Sequence, residues 1–187
     1  MQTPVHSPAG FRPAEEIDID LDADLFLRKM LREITGLLQD VAGIDEAEGF
    51  IATVGAAVGA WLEKKYRDGM GPGDLDPRQV AELFVDLKRR IGGSFHVISV
   101  DDDAITVGNS RCPFGEFAYG RDALCMMTSS VFGRIAADHL GYARVHLRDT
   151  IARGSQGCTI VVHLKNTGTV QGGDREYFRL LRSHAAE

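Results

Sequence analysis

The apolar spacing of this chain changes once, at Gly92-Gly93, and that change limits what it can fold into. Upstream, apolar residues recur at three- and four-residue steps. Leu27, Met30, Leu31, Ile34, Leu37, Leu38 and Val41 form one stripe, with Asp22 or Asp24 as N-cap and Gly43 as stop. A second helix is predicted from about Asp45 to Tyr66, with Phe50, Ile51, Val54, Val58, Trp61 and Leu62 on one side. Its centre, residues 55–60, is rich in glycine and alanine, so another helix can approach closely, from this chain or a second copy. A third starts at Asp76-Pro77-Arg78-Gln79, where Asp76 can cap, Pro77 suits the first position and Gln79 can reach back. It carries Val80, Leu83, Phe84, Leu87 and Ile91. Beyond Gly93 the period falls to two: Phe95 to Val100 and Ala104 to Val107 flank Asp101-Asp102-Asp103 as a hairpin.

A fourth helix is expected over Asp122 to Leu140, stopped by Gly141, then strands over Tyr142–Leu147 and Cys158–Leu164. Asp174 to His184 reads as a last short amphipathic helix. The expectation is an α+β fold: N-terminal helices, then a four-stranded antiparallel sheet with a helix inserted between its two strand pairs. Residues 1–21, proline-rich and acidic, read as a disordered tail. Residues 22–68 read as a helical dimerisation segment, and 75–187 as an α+β sensor or output domain.

The net charge of −6 and pI near 5.5 argue against a sequence-independent nucleic-acid binder, so no direct nucleic-acid partner is expected. No window approaches the roughly 20 apolar residues that span a bilayer, and the N-terminus lacks the pattern of a secretory leader. The expectation is a cytoplasmic protein with no membrane partner. In a reducing compartment its three cysteines are more naturally thiols, redox groups or metal ligands than disulfides.

Those cysteines define the candidate site. Cys112 lies in a loop with Pro113-Phe114-Gly115, Cys125 in the first turn of the fourth helix, and Cys158 at a strand start. Backbone N–H groups and the helix dipole would favour a thiolate at Cys125. Three thiolates converging at one rim of the sheet would suit an iron–sulfur cluster, with zinc the weaker candidate because no Cys-x-x-Cys pair is present. His96, His139, His146 and His163 are candidate fourth ligands. The plainer alternative is three small buried residues.

Three motifs occur in order: Cys112-Pro113-Phe114-Gly115, Leu124-Cys125-Met126-Met127-Thr128-Ser129, and Arg153-Gly154-Ser155-Gln156-Gly157-Cys158. With the segment from Leu75 to Lys165 around them, they resemble the methanogen output domain of signalling proteins. The cysteine spacing is also similar to that of the sensor region of iron–sulfur-responsive repressors. The fold this implies is similar to 4-vinyl-reductase ligand-binding domains and to trafficking-protein-particle subunits. What the resemblance implies is a sensing role through Cys112, Cys125 and Cys158, with a signalling partner protein and possible transcription regulation. The winged helix of those repressors has no counterpart here.

Catalysis is not expected. Cys125 and His139 are fourteen residues apart on one helix, roughly 21 Å, so they cannot form a nucleophilic pair. Gly154 and Gly157 lack the lysine and following helix of a phosphate loop. Met126, Met127, Val131, Phe132 and Ile135 read as a core face, or as the lining of an apolar ligand pocket between helix and sheet. Two functions therefore stand: a cysteine-based iron–sulfur or redox sensor acting as a homodimer, and an apolar-ligand or scaffold module with structural cysteines.

Overall fold

The fold, seen in a computed structural model, is described for residues 17–71, 73–168 and 172–180; most of the expected tail, residues 1–16, lies outside them. Asp22 caps α1 (Ala23–Ala42) by accepting the Leu25 N–H at 2.7 Å. Gly43, at φ 95°, turns the chain directly into α2 (Ile44–Met70), which runs a turn further than its apolar pattern suggests. At Asp76 the capping box forms in full ahead of α3 (Pro77–Arg90): Asp76 accepts the Gln79 N–H at 2.9 Å, and Gln79 accepts the Asp76 N–H at 3.0 Å. Such a cap contributes about 1 kcal/mol.

Strands β1 (Phe95–Val100) and β2 (Ala104–Asn109) form the expected hairpin, with Asp101 accepting the N–H groups of Asp103 and Ala104. After two short 3-10 turns comes α4 (Cys125–Leu140), then β3 (Tyr142–Asp149) and β4 (Cys158–His163). The sheet has five strands rather than four. Residues Arg175–Phe178 form β5, where a helix was expected over Asp174–His184; residues 181–187 lie outside the described residues. The open edge of β3 decides this. Tyr142 pairs with Phe178 and Val145 with Arg175, while Asp174 is held by Arg144 at 2.8 Å and His146 at 2.6 Å. The strand order is β1-β2-β4-β3-β5, antiparallel throughout.

Helix α4 is the centre of the molecule, packed between α2 on one side and β3 and β5 on the other. The residues from Ser129 to Ala137 are all buried. Both approaches rely on missing side chains. A Cβ at Gly55 of α2 would lie 2.8 Å from the Ser130 Cβ, and one at Gly59 3.1 Å from the Arg134 Cβ. The small-residue face of α2 thus packs within its own chain, through α4. Phe50, Val54 and Trp61, expected on the packed side, are half exposed or more, because the closest approach follows the glycines.

On the other side of α4, a Cβ at Gly133 would stand 2.0 Å from the Tyr177 ring. Tyr177 is fixed there by its β5 pairing and by hydroxyl contacts to Ser129 and Ser130 at 3.0 and 3.3 Å. Gly133→Ala is expected to lower the unfolding free energy by about 1–3 kcal/mol in urea titration, as overpacking does. A loss under ~0.5 kcal/mol would show that β5 yields freely.

The core joins both halves of the chain. Ala47 and Ile51 of α2 belong to the same apolar cluster as Phe84, Phe132, Val145 and Val162. Among the described residues no helix is long and apolar enough to cross a membrane.

Candidate functional site

The fold brings Cys112, Cys125 and Cys158 to one small cavity of about 30 Å³ between α4 and the sheet. That space holds little more than one water. All three are free thiols of intermediate burial. Cys158 accepts the Ile151 N–H at 3.4 Å and the Asn109 amide at 3.8 Å. Gly157 lets this turn close, since a Cβ there would meet the Asn109 carbonyl at 2.7 Å.

Cys125 does occupy the first turn of α4, yet its environment reverses the expected thiolate. Burial pushes its thiol up to about 12, and the neighbouring Cys158, Cys112 and Asp122 charges add to this. Burial also raises Cys112, against a hydrogen bond from the Phe114 N–H. Desolvation here outweighs the helix dipole. Among the described residues, no group of three or more His, Cys, Asp or Glu side chains is placed to hold a metal ion.

Two of the histidines considered as further ligands, His139 and His146, have other partners. His139 accepts the Leu75 N–H at Nδ1 (3.0 Å) and contacts Glu63 through Nε2 (3.0 Å), pinning the linker before α3. Burial acts to raise the Glu63 carboxyl, but His139 and Arg67 bring it below the ordinary range. His146 pairs with Asp174. His163 lies on β4, where burial lowers its proton affinity and Arg144 adds to that. His96 lies across Gly108, at the β1–β2 pair.

A residue absent from the cysteine pattern lies within electrostatic reach of all three thiols. Lys88, on α3, is 3% exposed, and its Nζ donates to Thr128 Oγ1 at 2.8 Å. The ammonium lies 5.2 Å from the ring centres of both Phe95 and Phe132. Burial drops its pKa to about 8, while the three cysteines pull it the other way. Among the described residues no carboxylate comes within ion-pair distance. The sequence did hold a signal: Val80, Phe84 and Lys88 recur at four-residue steps, so Lys88 falls on the apolar stripe.

Lys88 also lines a much larger space. An apolar groove of about 820 Å³ opens between α2 and α3, walled by Val58, Trp61, Leu62 and Leu87, floored by Met127 and Val131 of α4. Its volume falls within the range of small-molecule sites. Phe114 lines both the groove and the thiol cavity, so the loop carrying Cys112 forms a wall between them. At the groove rim Tyr66 donates to Asp86 at 2.8 Å, and Arg90 holds the same carboxylate at 2.6 Å.

The loop after Phe114 is gripped by α1. Arg32 donates to the carbonyls of Phe117 and Tyr119, both at 2.8 Å, and a Cβ at Gly36 would strike the Arg121 guanidinium at 2.8 Å. The outer side of α1 remains bare: Phe26, Leu27, Ile34, Leu37 and Val41 are 47–77% exposed.

Solved structures with this fold include the following two. The phenol-responsive sensory domain of the transcription activator PoxR, solved with phenol, superposes with a TM-score of 0.56 at 17% identity, over 78% of this chain and 76% of that one. A trafficking protein particle complex subunit 3 from Naegleria fowleri, covalently bound to palmitic acid, gives 0.54 at 15% identity, over 76% of this chain and 95% of its own. No curated protein sequence matches. Residues 30–163, well over half of the chain, match methanogen output domain 1, and the chain belongs to that family.

Proposed function

We propose that this chain is a sensory domain that takes an apolar small molecule into the groove between α2 and α3 and passes its occupancy to a partner protein through α1. The observation that carries this reading is the 820 Å³ apolar groove, which shares Phe114 with a loop held by α1. A role in signalling fits both the family and the PoxR sensory domain of the same fold. A ligand displacing Phe114 would move the Phe117 and Tyr119 carbonyls, and with them Arg32. The exposed apolar stripe of α1 is the surface such a shift would present, to a signalling partner or to a second copy in a homodimer.

The cysteine reading is second. It is favoured by the convergence of Cys112, Cys125 and Cys158 at one cavity, within reach of the Lys88 charge, which would stabilise a thiolate formed there. Thiols raised by burial react slowly, so redox sensing through them would need the cavity to open first. An iron–sulfur cluster would also need more room than one water occupies.

Trp61 is the only tryptophan in the chain and lines the groove, which makes its emission a direct reporter. Titration with 1-decanol is expected to give a saturable change in Trp61 fluorescence, with one alcohol bound per chain by native mass spectrometry. An unsaturable response with no bound mass would end the groove reading. Sedimentation as a monomer at micromolar concentration, with and without alcohol, would remove the homodimer.

A further inference from the structure

Resting on the groove reading, we infer that the ligand is an amphiphilic anion: an apolar body lying along α2 and α3, with a single acidic head that meets the Lys88 ammonium. The polar side chains Lys65, Tyr66, Asp86 and Arg90 stand at the groove rim and the rest of the lining is mostly apolar, so its ligand must be apolar over most of its surface. Lys88 is the buried exception. It lines the groove, as does Phe114, it is nearly fully buried, and its ammonium has one neutral hydrogen-bond partner, Thr128.

An ammonium can donate three hydrogen bonds. Two aromatic faces at 5.2 Å supply part of the missing solvation, but neither carries a charge. The three thiols beside it are neutral where burial raises them, as at Cys112 and Cys125. A buried cation of this kind is completed by an anion brought from outside, and a carboxylate or phenolate head supplies one without disturbing the apolar contacts of the body. The other groove cations are already engaged at the rim. Arg90 holds Asp86, and Lys65 lies over the exposed Trp61 ring at 5.2 Å. This places the acidic head at the inner end of the groove rather than at its mouth.

Decanoate and 1-decanol separate charge from apolar length, and both are read by Trp61 emission at neutral pH, below their aggregation concentrations. The wild-type chain is expected to bind decanoate about tenfold or more tighter than 1-decanol, the gain of one charge-assisted hydrogen bond. In Lys88→Met that preference, read as the ratio of the two affinities so that any change common to both ligands cancels, is expected to fall below about threefold. Equal binding of the two ligands by the wild type would overturn the inference and leave the groove standing; binding of neither would overturn both. A preference that survives in Lys88→Met and disappears in Lys65→Met would place the head at the rim and also overturn it. 1-Naphthoate in place of decanoate distinguishes an aromatic from an alkyl body, and failure of both acids against 1-decanol counts against the charge.

Discussion

Lys88→Met is expected to raise the unfolding free energy by a net ~2 kcal/mol at neutral pH, and the gain is expected to vanish above pH ~10.5. The folded protein holds this ammonium with a pKa near 8, against an ordinary 10.5, because burial disfavours its charge. Between those values the unfolded chain binds the extra proton, so wild-type stability rises with pH across that window. The methionine variant has no such proton to gain. Its advantage is therefore complete below pH 8 and lost as pH climbs through 10.5. Thr128 loses a hydrogen-bond partner in the variant, which offsets about 1 kcal/mol of a gross gain of about 3 kcal/mol. Urea titrations at intervals from pH 7 to 11 read this directly. A variant no more stable than wild type at pH 7 would mean that an anion or water already satisfies Lys88. A residue that destabilises its own fold at working pH is typical of a position kept for binding rather than for packing.

The second large effect is expected one turn of α4 away from Thr128. Phe132 is fully buried, stacked on Phe84 with centroids 4.0 Å apart and planes at 11°, and edge-on to Phe95 at 5.8 Å. Phe132→Ala is expected to cost about 3–5 kcal/mol, the transfer loss plus the cavity left behind; Phe132→Leu should cost less than half of that. Guanidinium titration with an unchanged m-value is the measure, and an alanine variant losing under ~1.5 kcal/mol would show that Phe84 and Phe95 collapse into the space. Coupling to Lys88 is also expected. Removing the ring lets water reach the ammonium, so the stabilisation from Lys88→Met should shrink in the Phe132→Ala background. Additive effects of the two substitutions would mean that the ring does not shield the charge.

The helical half of the fold was legible because its signals are local. Asp22, Gly43 and the Asp76–Gln79 box each act within four residues, and each formed as its sequence predicts. The same holds for the hairpin around Asp101. What failed depended on distant partners. The β5 segment has no strong pattern of its own and becomes a strand because β3 offers an open edge. On α2 the glycine-rich centre packs closely, as its composition predicts, while Phe50, Val54 and Trp61 stay half exposed or more because no partner element among the described residues reaches their side of the helix.

At the site, spacing brought Cys112, Cys125 and Cys158 to one place but said nothing of how dry that place is. Dryness decides the thiol chemistry, and it is set by residues from α3, α4 and the sheet together. Lys88 was hidden for a different reason. It opens the run Lys88-Arg89-Arg90, which reads as an ordinary basic helix end, and only its four-residue step from Phe84 marks it as inward.

The position of β5 in the chain also bears on how the protein is made. Tyr177 closes over Gly133, and the four residues of β5 complete the edge of β3. These residues leave the ribosome after every other element of the sheet. Until they emerge, the nascent chain carries an uncovered glycine notch on its central helix and a bare strand edge beside it. Such an edge is a template for pairing with another chain. Translation pausing before residue 174, or a nonsense codon there, should therefore send the product toward intermolecular β-pairing rather than toward a slightly shortened native fold.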